Sequence, residues 1–210
     1  MYFPDAKHRP AAPPQPATRQ PGNYDTRRPW EAPGAGAPPQ DLDAPVPQLV
    51  QSVQILHQTG KENFLEVEKL SRAALLDVPV SPEHVPLRYQ AVPYFEGGTA
   101  MADALSAADL VVSRSGSNIF EFAAFGKPVI LIPLEESANG HQAANAYAFA
   151  EHGAGIVIEE ANLLPDIFLT QVRTVLEHPE TLERMKMASK SFFLANAGER
   201  LAEEILALTA

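Results

Sequence analysis

The chain has 210 residues, no cysteine and a formal charge of -10, from 16 Lys and Arg against 26 Asp and Glu. That balance opposes nucleic-acid binding through phosphate neutralisation, and the missing thiols exclude disulfides and thiolate chemistry. Pro4, Asp5 and Lys7 interrupt any signal-peptide core and no apolar run could span a bilayer, so a cytoplasmic protein fits the composition.

Most of the 20 prolines precede Val50. Runs such as Ala11-Ala12-Pro13-Pro14-Gln15-Pro16 and Pro33-Gly34-Ala35-Gly36-Ala37-Pro38-Pro39 carry too few aliphatic side chains to offset the entropy of ordering. Residues 1–47 therefore read as a disordered, polyproline-II-like leader, and 48–210 as a domain.

From Pro47 to Ser52 the chain reads as the tail of a helix. Strands are then expected at Gln54–His57, Arg88–Tyr94, Leu110–Ser113, Val129–Ile132 and Gly155–Ile158. Helices are expected at Asn63–Leu76, Met101–Ala107, Asn118–Phe125 and Gln142–Glu151, followed by Asp166–Glu177, Glu180–Leu194 and Glu199–Leu208. Gly126 and Gly153 stand where helix-ending glycines belong, and Pro165 suits a first helical turn. This alternation predicts an α/β fold with a parallel sheet covered on both faces. The last helix has an apolar stripe of Leu201, Ile205 and Leu208, whereas Glu62, Glu66 and Glu68 read as a solvated face.

The most informative stretch is Arg114-Ser115-Gly116-Ser117-Asn118-Ile119-Phe120-Glu121, because it joins the apolar run ending at Ser113 to a helix. Amides at the start of a helix lack intrahelical partners and favour phosphate oxygens, with Ser117 a competent N-cap and Gly116 admitting a ligand to the backbone. Glu121, one turn in, can accept hydrogen bonds from a ribose diol. After the strand at Val129, a polar loop leads to His141, Gln142 and Asn145. The last two are three apart and share a helix face, so two neighbouring strand ends aim polar groups at one crevice.

Other chemistries fit poorly. Gly60-Lys61 lacks the first glycine of a P-loop, which would fall at Ile55, and Arg114-Ser115-Gly116-Ser117 lacks that of a nucleophile elbow. Asp41-Leu42-Asp43 has the Asp-x-Asp form of metal-dependent glycosyltransferases without a framing strand. His57, His84, His141, His152 and His178 show no zinc spacing, and His152 and His178 read as dipole complements at helix ends. No metal and no cofactor are expected.

The ordered set Ala108 to Gly116, Glu121, Gly126-Lys127-Pro128, Ile132-Pro133, His141-Gln142 and Asn145-Ala146 resembles the carboxyl-terminal domain of the MurG family. These are the bacterial N-acetylglucosaminyltransferases of peptidoglycan synthesis, in glycosyltransferase family 28. His57-Gln58-Thr59-Gly60-Lys61 and Asn162-Leu163 with Pro165 match further motifs, and the resemblance runs from about Gln48 to Leu208. It implies the Rossmann-like, carboxyl-terminal half of a GT-B enzyme that holds UDP-N-acetylglucosamine. By that resemblance Glu121 takes the ribose hydroxyls, the amides near Ser117 and Asn118 face the diphosphate, and His141 and Gln142 meet the sugar. The Phe95 backbone falls where the family reads the uracil edge, while the Tyr94 and Phe95 side chains read as sheet packing. Arg114, Gly116 and Asn145 complete the donor set. Many members have one residue more between the turn glycine and the helix acid than Gly116 to Glu121 allows.

A doubly wound sheet ordered 3-2-1-4-5-6 has its first strand in the middle. The strand at Gln54 matches the family's second, so the first strand, its Gly-rich loop and the acceptor domain with the catalytic base have no counterpart here. The leader is explained by a natural linker, by a fragment completed on another polypeptide, or by out-of-frame reading of GC-rich coding sequence that rejoins the frame near Leu49. The last is favoured, because Pro, Ala, Gly and Arg replace a strand and loop where resemblance stops.

The resemblance implies inverting transfer of N-acetylglucosamine to an undecaprenyl-diphosphate-linked muramoylpentapeptide, reached through the missing domain. The complete enzyme is then cytoplasmic and peripheral at the inner membrane face. The alternatives are a donor-binding subunit that needs an acceptor-domain partner chain, and a non-enzymatic remnant.

Overall fold

The computed structural model describes residues 45–76, 78, 88–134 and 140–209. The chain divides into two units, Met1–Pro38 and Pro39–Ala210, and every described residue belongs to the second. The leader up to residue 44, Asp41-Leu42-Asp43 and His84 lie outside the described residues.

In chain order the elements are α1 (Pro45–Leu49), β1 (Ile55–Gln58), α2 (Phe64–Ala74), β2 (Tyr89–Val92), α3 (Ala100–Ala107), β3 (Val111–Ser113) and α4 (Ile119–Ala124). There follow β4 (Val129–Leu131), α5 (His141–Glu151), β5 (Gly155–Val157), a 3-10 turn (Glu160–Asn162), α6 (Pro165–Leu176), α7 (Pro179–Phe192) and α8 (Ala197–Thr209). The expected elements are all present, with ends displaced by at most three residues. The helix tail read from Pro47 begins at Pro45, inside the stretch taken for leader, and its Val46 packs near Val50 and Leu75.

Among the described residues every strand pairing is parallel, but these strands form two sheets where one was expected. β1 pairs with β2, from Ile55 opposite Tyr89 to Gln58 opposite Val92. Separately, β3, β4 and β5 form a three-stranded sheet in which Val112 lies opposite Ile130 and Ile130 opposite Ile156. β1 and β3, between which a doubly wound order puts its first strand, belong to different sheets. The edges of β1 and β3 that lie away from β2 and β4 have no ladder partner among the described residues. Burial follows the same line: β4, paired on both sides, is fully buried, while Leu56 of β1 and Val112 of β3 are 47% and 43% exposed.

Alternation of side chains along β4 feeds two cores. Val129 and Leu131 point into one with Ile119, Phe122 and Phe149, against which Phe192 of α7 packs. Ile130 points the other way, to Leu49, Ile158, Leu169 and Val172. Truncating the fully buried Phe149 to alanine is expected to cost about 3–5 kcal/mol.

Helices α4 and α5 end as expected, in left-handed glycines. Gly126 (φ 62°) and Gly153 (φ 82°) each donate to a carbonyl three residues back, at Ala123 and Ala150. The following residues, Lys127 and Ala154, donate to Phe122 and Phe149, which completes the paired bonds of a Schellman motif. Pro165 and Pro179 open α6 and α7, where a missing N–H costs nothing. Along α8, Leu201, Ile205 and Leu208 are exposed.

Candidate functional site: the crevice at the strand carboxyl ends

Three segments meet at the carboxyl ends of β3 and β4: the turn Arg114–Asn118, the residues after Leu131, and the start of α5. Ser115 is wholly buried, and its Oγ donates to the Gln142 carbonyl at 2.7 Å. Asn145 Nδ2 donates to the Ser115 carbonyl at 3.0 Å, and Leu134 N–H donates to Gln142 Oε1 at 3.1 Å. Gln142 and Asn145 therefore converge on the crevice as their spacing predicted. The bonds they make there tie α5 to the two strand ends.

Arg114 is likewise engaged within the protein. Its Nη2 lies 2.7 Å from Glu160 Oε1 and its Nη1 donates to the Ile132 carbonyl at 3.2 Å, so one side chain links the loops after β3, β4 and β5. No local pattern marks Glu160, which is distant along the chain and lies in a short 3-10 turn. Next to it, Tyr147 O–H donates to Glu159 Oε1, and this bond raises the phenol pKa above its ordinary value. His141 is exposed at the mouth of α5.

The expected cap at Ser117 is not formed. Helix α4 starts at Ile119, and neither Ser117 nor Asn118 bonds its first amides through a side chain. The tight entry turn uses those amides itself: Ile119 N–H donates to the Gly116 carbonyl at 3.3 Å and Phe120 N–H to the Ser117 carbonyl at 3.2 Å. This leaves the main-chain N–H groups of Gly116, Ser117 and Asn118 without protein acceptors among the described residues. Asn118 Nδ2 donates to Ser113 Oγ at 3.1 Å, and Asn118 Oδ1 is buried without a partner among the described residues. Glu121 is exposed and has no ion pair or side-chain hydrogen bond among the described residues. Unpaired amides and a free carboxylate thus flank one short turn, a combination suited to a ligand carrying both phosphate and hydroxyl groups.

Lys127 supports this region from behind. Its ammonium donates to the carbonyls of Ser106 at 3.0 Å and Ala108 at 2.7 Å, fixing the end of α3 where the chain enters β3. Burial lowers its pKa, an effect that neighbouring Asp109 opposes.

At the ends of β1 and β2, the Phe95 N–H donates to Gln58 Oε1 at 3.2 Å. Tyr94 was expected to pack on the sheet, but β2 stops at Val92 and Tyr94 is half exposed in the loop beyond, with Lys61 Nζ 5.9 Å from its ring centre. The two histidines assigned to helix ends do sit there. His178 shares a 3.2 Å hydrogen bond with the Thr174 carbonyl at the end of α6, and His152 pairs with Ser191 Oγ at 2.8 Å.

The sequence profile of the glycosyltransferase family 28 C-terminal domain matches residues 41–201. This chain belongs to that family. The UDP-N-acetylglucosamine--N-acetylmuramyl-(pentapeptide) pyrophosphoryl-undecaprenol N-acetylglucosamine transferase of Rippkaea orientalis is 32% identical over 180 residues, covering 78% of this chain and 50% of that protein. The transferase of the same name from Acetivibrio thermocellus is 43% identical over 106 residues, which is 50% of this chain and 29% of the relative. Among solved structures, MurG of Acinetobacter baumannii superposes with a TM-score of 0.62 at 28% identity, over 77% of this chain and 44% of that one. The glycosyltransferase of kitacinnamycin, at 18% identity and a TM-score of 0.52, shares the fold. The fold is therefore the carboxyl-terminal half of a GT-B glycosyltransferase, and the chain spans about half the length of the curated relatives it matches, or less.

Proposed function

We propose that the unit Pro39–Ala210 holds the donor in an inverting N-acetylglucosaminyl transfer from UDP-N-acetylglucosamine to undecaprenyl-diphospho-muramoylpentapeptide, the step that forms lipid II. The observation that carries this reading is the turn after β3, where the unpaired N–H groups of Gly116, Ser117 and Asn118 adjoin the free carboxylate of Glu121. The sugar and the acceptor class follow from the activity for which the relatives are named.

In this reading the acceptor hydroxyl attacks the anomeric carbon from the face opposite UDP. Its proton passes to a base that no residue of this chain is assigned to supply, and the bond from the anomeric carbon to the β-phosphate oxygen breaks. Charge then grows on the departing diphosphate, where the turn amides stabilise it without reorganising. Glu121 accepts from the ribose hydroxyls, and the Phe95 backbone reads the base. His141 and Gln142 meet the sugar, while Arg114 and Asn145 hold the loops that present these groups.

Among the described residues no helix is long and apolar enough to cross a membrane. We place the complete enzyme in the cytoplasm, peripheral at the inner membrane face where its lipid-linked acceptor resides.

Calorimetric titration of UDP-N-acetylglucosamine into the 210-residue chain tests the donor assignment. Saturable binding, competed by UDP and not by CDP, is expected. An absence of heat with every uridine nucleotide in folded protein would refute it.

A further inference from the structure

The His57-Gln58-Thr59-Gly60-Lys61 motif clasps the loop that carries Phe95, and most of the clasp is main chain. Thr59 N–H donates to the Val92 carbonyl at 2.9 Å and Gly60 N–H to the Pro93 carbonyl at 3.0 Å. Thr59 Oγ1 adds a 3.2 Å bond to the Val92 carbonyl, and Asn63 Nδ2 secures the Thr59 carbonyl at 3.3 Å. Lys61 lies beside the Tyr94 ring and 4.0 Å from Glu96. The loop is held in place whether or not the Gln58 side chain takes part.

What Gln58 does instead is occupy a donor. Its carboxamide oxygen sits 3.2 Å from the Phe95 N–H, in an exposed position outside the carboxyl ends of two parallel strands, where ligands of open α/β sheets bind. A side-chain amide carbonyl and the carbonyl of a pyrimidine imide present the same acceptor to an N–H. We infer that Gln58 is an internal stand-in for the nucleobase, which seats the Phe95 N–H in the unliganded protein and must swing away when a base carbonyl arrives. The inference rests on the reading that the Phe95 backbone meets the base.

The physical consequence is a competition within the site. Base binding exchanges one carbonyl for another on the same N–H, so the wild-type protein gains less from that contact than a protein whose N–H faces only water. Removing the competitor strengthens binding, and improving it weakens binding. A role in holding the loop would instead make every substitution harmful.

The test measures uridine, which is uncharged, and UDP against the full chain by titration, with Phe95 and the Gln58 carboxamide followed by 15N NMR. Gln58→Ala is expected to bind both ligands about 2- to 10-fold more tightly, the span of one net hydrogen bond. Its melting temperature should stay that of wild type, because the main-chain clasp is untouched. Gln58→Glu places a stronger, charged acceptor on the N–H and is expected to weaken uridine binding by a similar factor. In wild type, uridine should move the Phe95 amide and Gln58 carboxamide resonances together. Binding of uridine or UDP to wild type with equal or weaker binding to Gln58→Ala overturns the stand-in role while the donor reading survives. Absence of UDP binding to both proteins overturns the two together.

Discussion

Asn145 reaches from α5 to the turn after β3, where its Nδ2 donates to the carbonyl of the wholly buried Ser115 at 3.0 Å, and Ser115 Oγ returns a 2.7 Å bond to the Gln142 carbonyl of the same helix. This reciprocal pair makes Asn145 a brace between helix and turn. Asn145→Ala leaves the Ser115 carbonyl without that donor, and the loss of such a bond costs about 1–3 kcal/mol. The expected result is a lowered denaturant midpoint with an unchanged slope, together with weaker donor binding because the turn loses its support. A variant with wild-type stability and lost binding would instead make Asn145 a direct ligand contact.

His57 couples the β1–β2 pair to pH. Its Nδ1 shares a 2.7 Å hydrogen bond with the Tyr89 hydroxyl, and although the side chain keeps solvent access, burial of the ring lowers its pKa from the ordinary 6.5. In the unfolded chain the ring takes its proton near pH 6.5, but in the folded chain only at lower pH. Between those points the unfolded state binds more protons, so this contribution to stability is full above pH 6.5 and is lost as the pH falls through the folded value. His57→Gln keeps an acceptor for Tyr89 and cannot titrate. Chemical denaturation across pH 5 to 8 should therefore show a shallower acid loss in the variant than in wild type.

The order of elements was legible because it is written in local chemistry. The run Val129 to Ile132 is apolar on both faces and becomes the central, doubly covered β4, while Gly126, Gly153, Pro165 and Pro179 mark helix ends that backbone geometry alone imposes. The crevice was legible for the same reason: Gln142 and Asn145, three apart on a helix, do turn to the Ser115 turn. What they bond there was not legible. Whether an amide side chain faces a ligand or a neighbouring carbonyl depends on contacts distant along the chain, such as Asn145 with Ser115 and Arg114 with Glu160. The Ser117 cap failed for a short-range reason, since the entry turn closes its amides through main-chain carbonyls before a side chain can.

The division into two sheets has a measurable signature. Amides of β4 lie between two parallel neighbours, whereas β1 and β3 each have one edge with no ladder partner among the described residues. Native-state hydrogen exchange should find Val129–Leu131 the most protected strand and Ile55–Gln58 among the least. Such edges also invite association, so the chain is expected to aggregate at high concentration and to become more soluble when a strand and Gly-rich loop are supplied between β1 and β3. Uniform protection across all five strands would show that something already pairs those edges.

Gly116 and Glu121 separate ligand effects from folding effects. A Cβ added at Gly116 would meet only Asn118 Oδ1, at 3.5 Å, which is ordinary contact, so Gly116→Ala should melt like wild type. If phosphate oxygens approach the amides of that turn, the same methyl group stands in their way, and the lost charge-assisted hydrogen bond of about 1.5–3 kcal/mol weakens UDP binding roughly 10- to 150-fold. Glu121→Ala removes an exposed carboxylate with no protein partner among the described residues, and stability should again be unchanged. Its loss is expected to be similar in size but confined to ligands with a ribose diol. Wild type should therefore discriminate strongly between UDP and its 2′,3′-dideoxy analogue, and Glu121→Ala should bind the two alike. Gly116→Ala should retain the discrimination while binding both more weakly, since its obstruction lies at the phosphates. Equal discrimination by wild type and Glu121→Ala would remove Glu121 from the site and leave the turn amides as its remaining anchor.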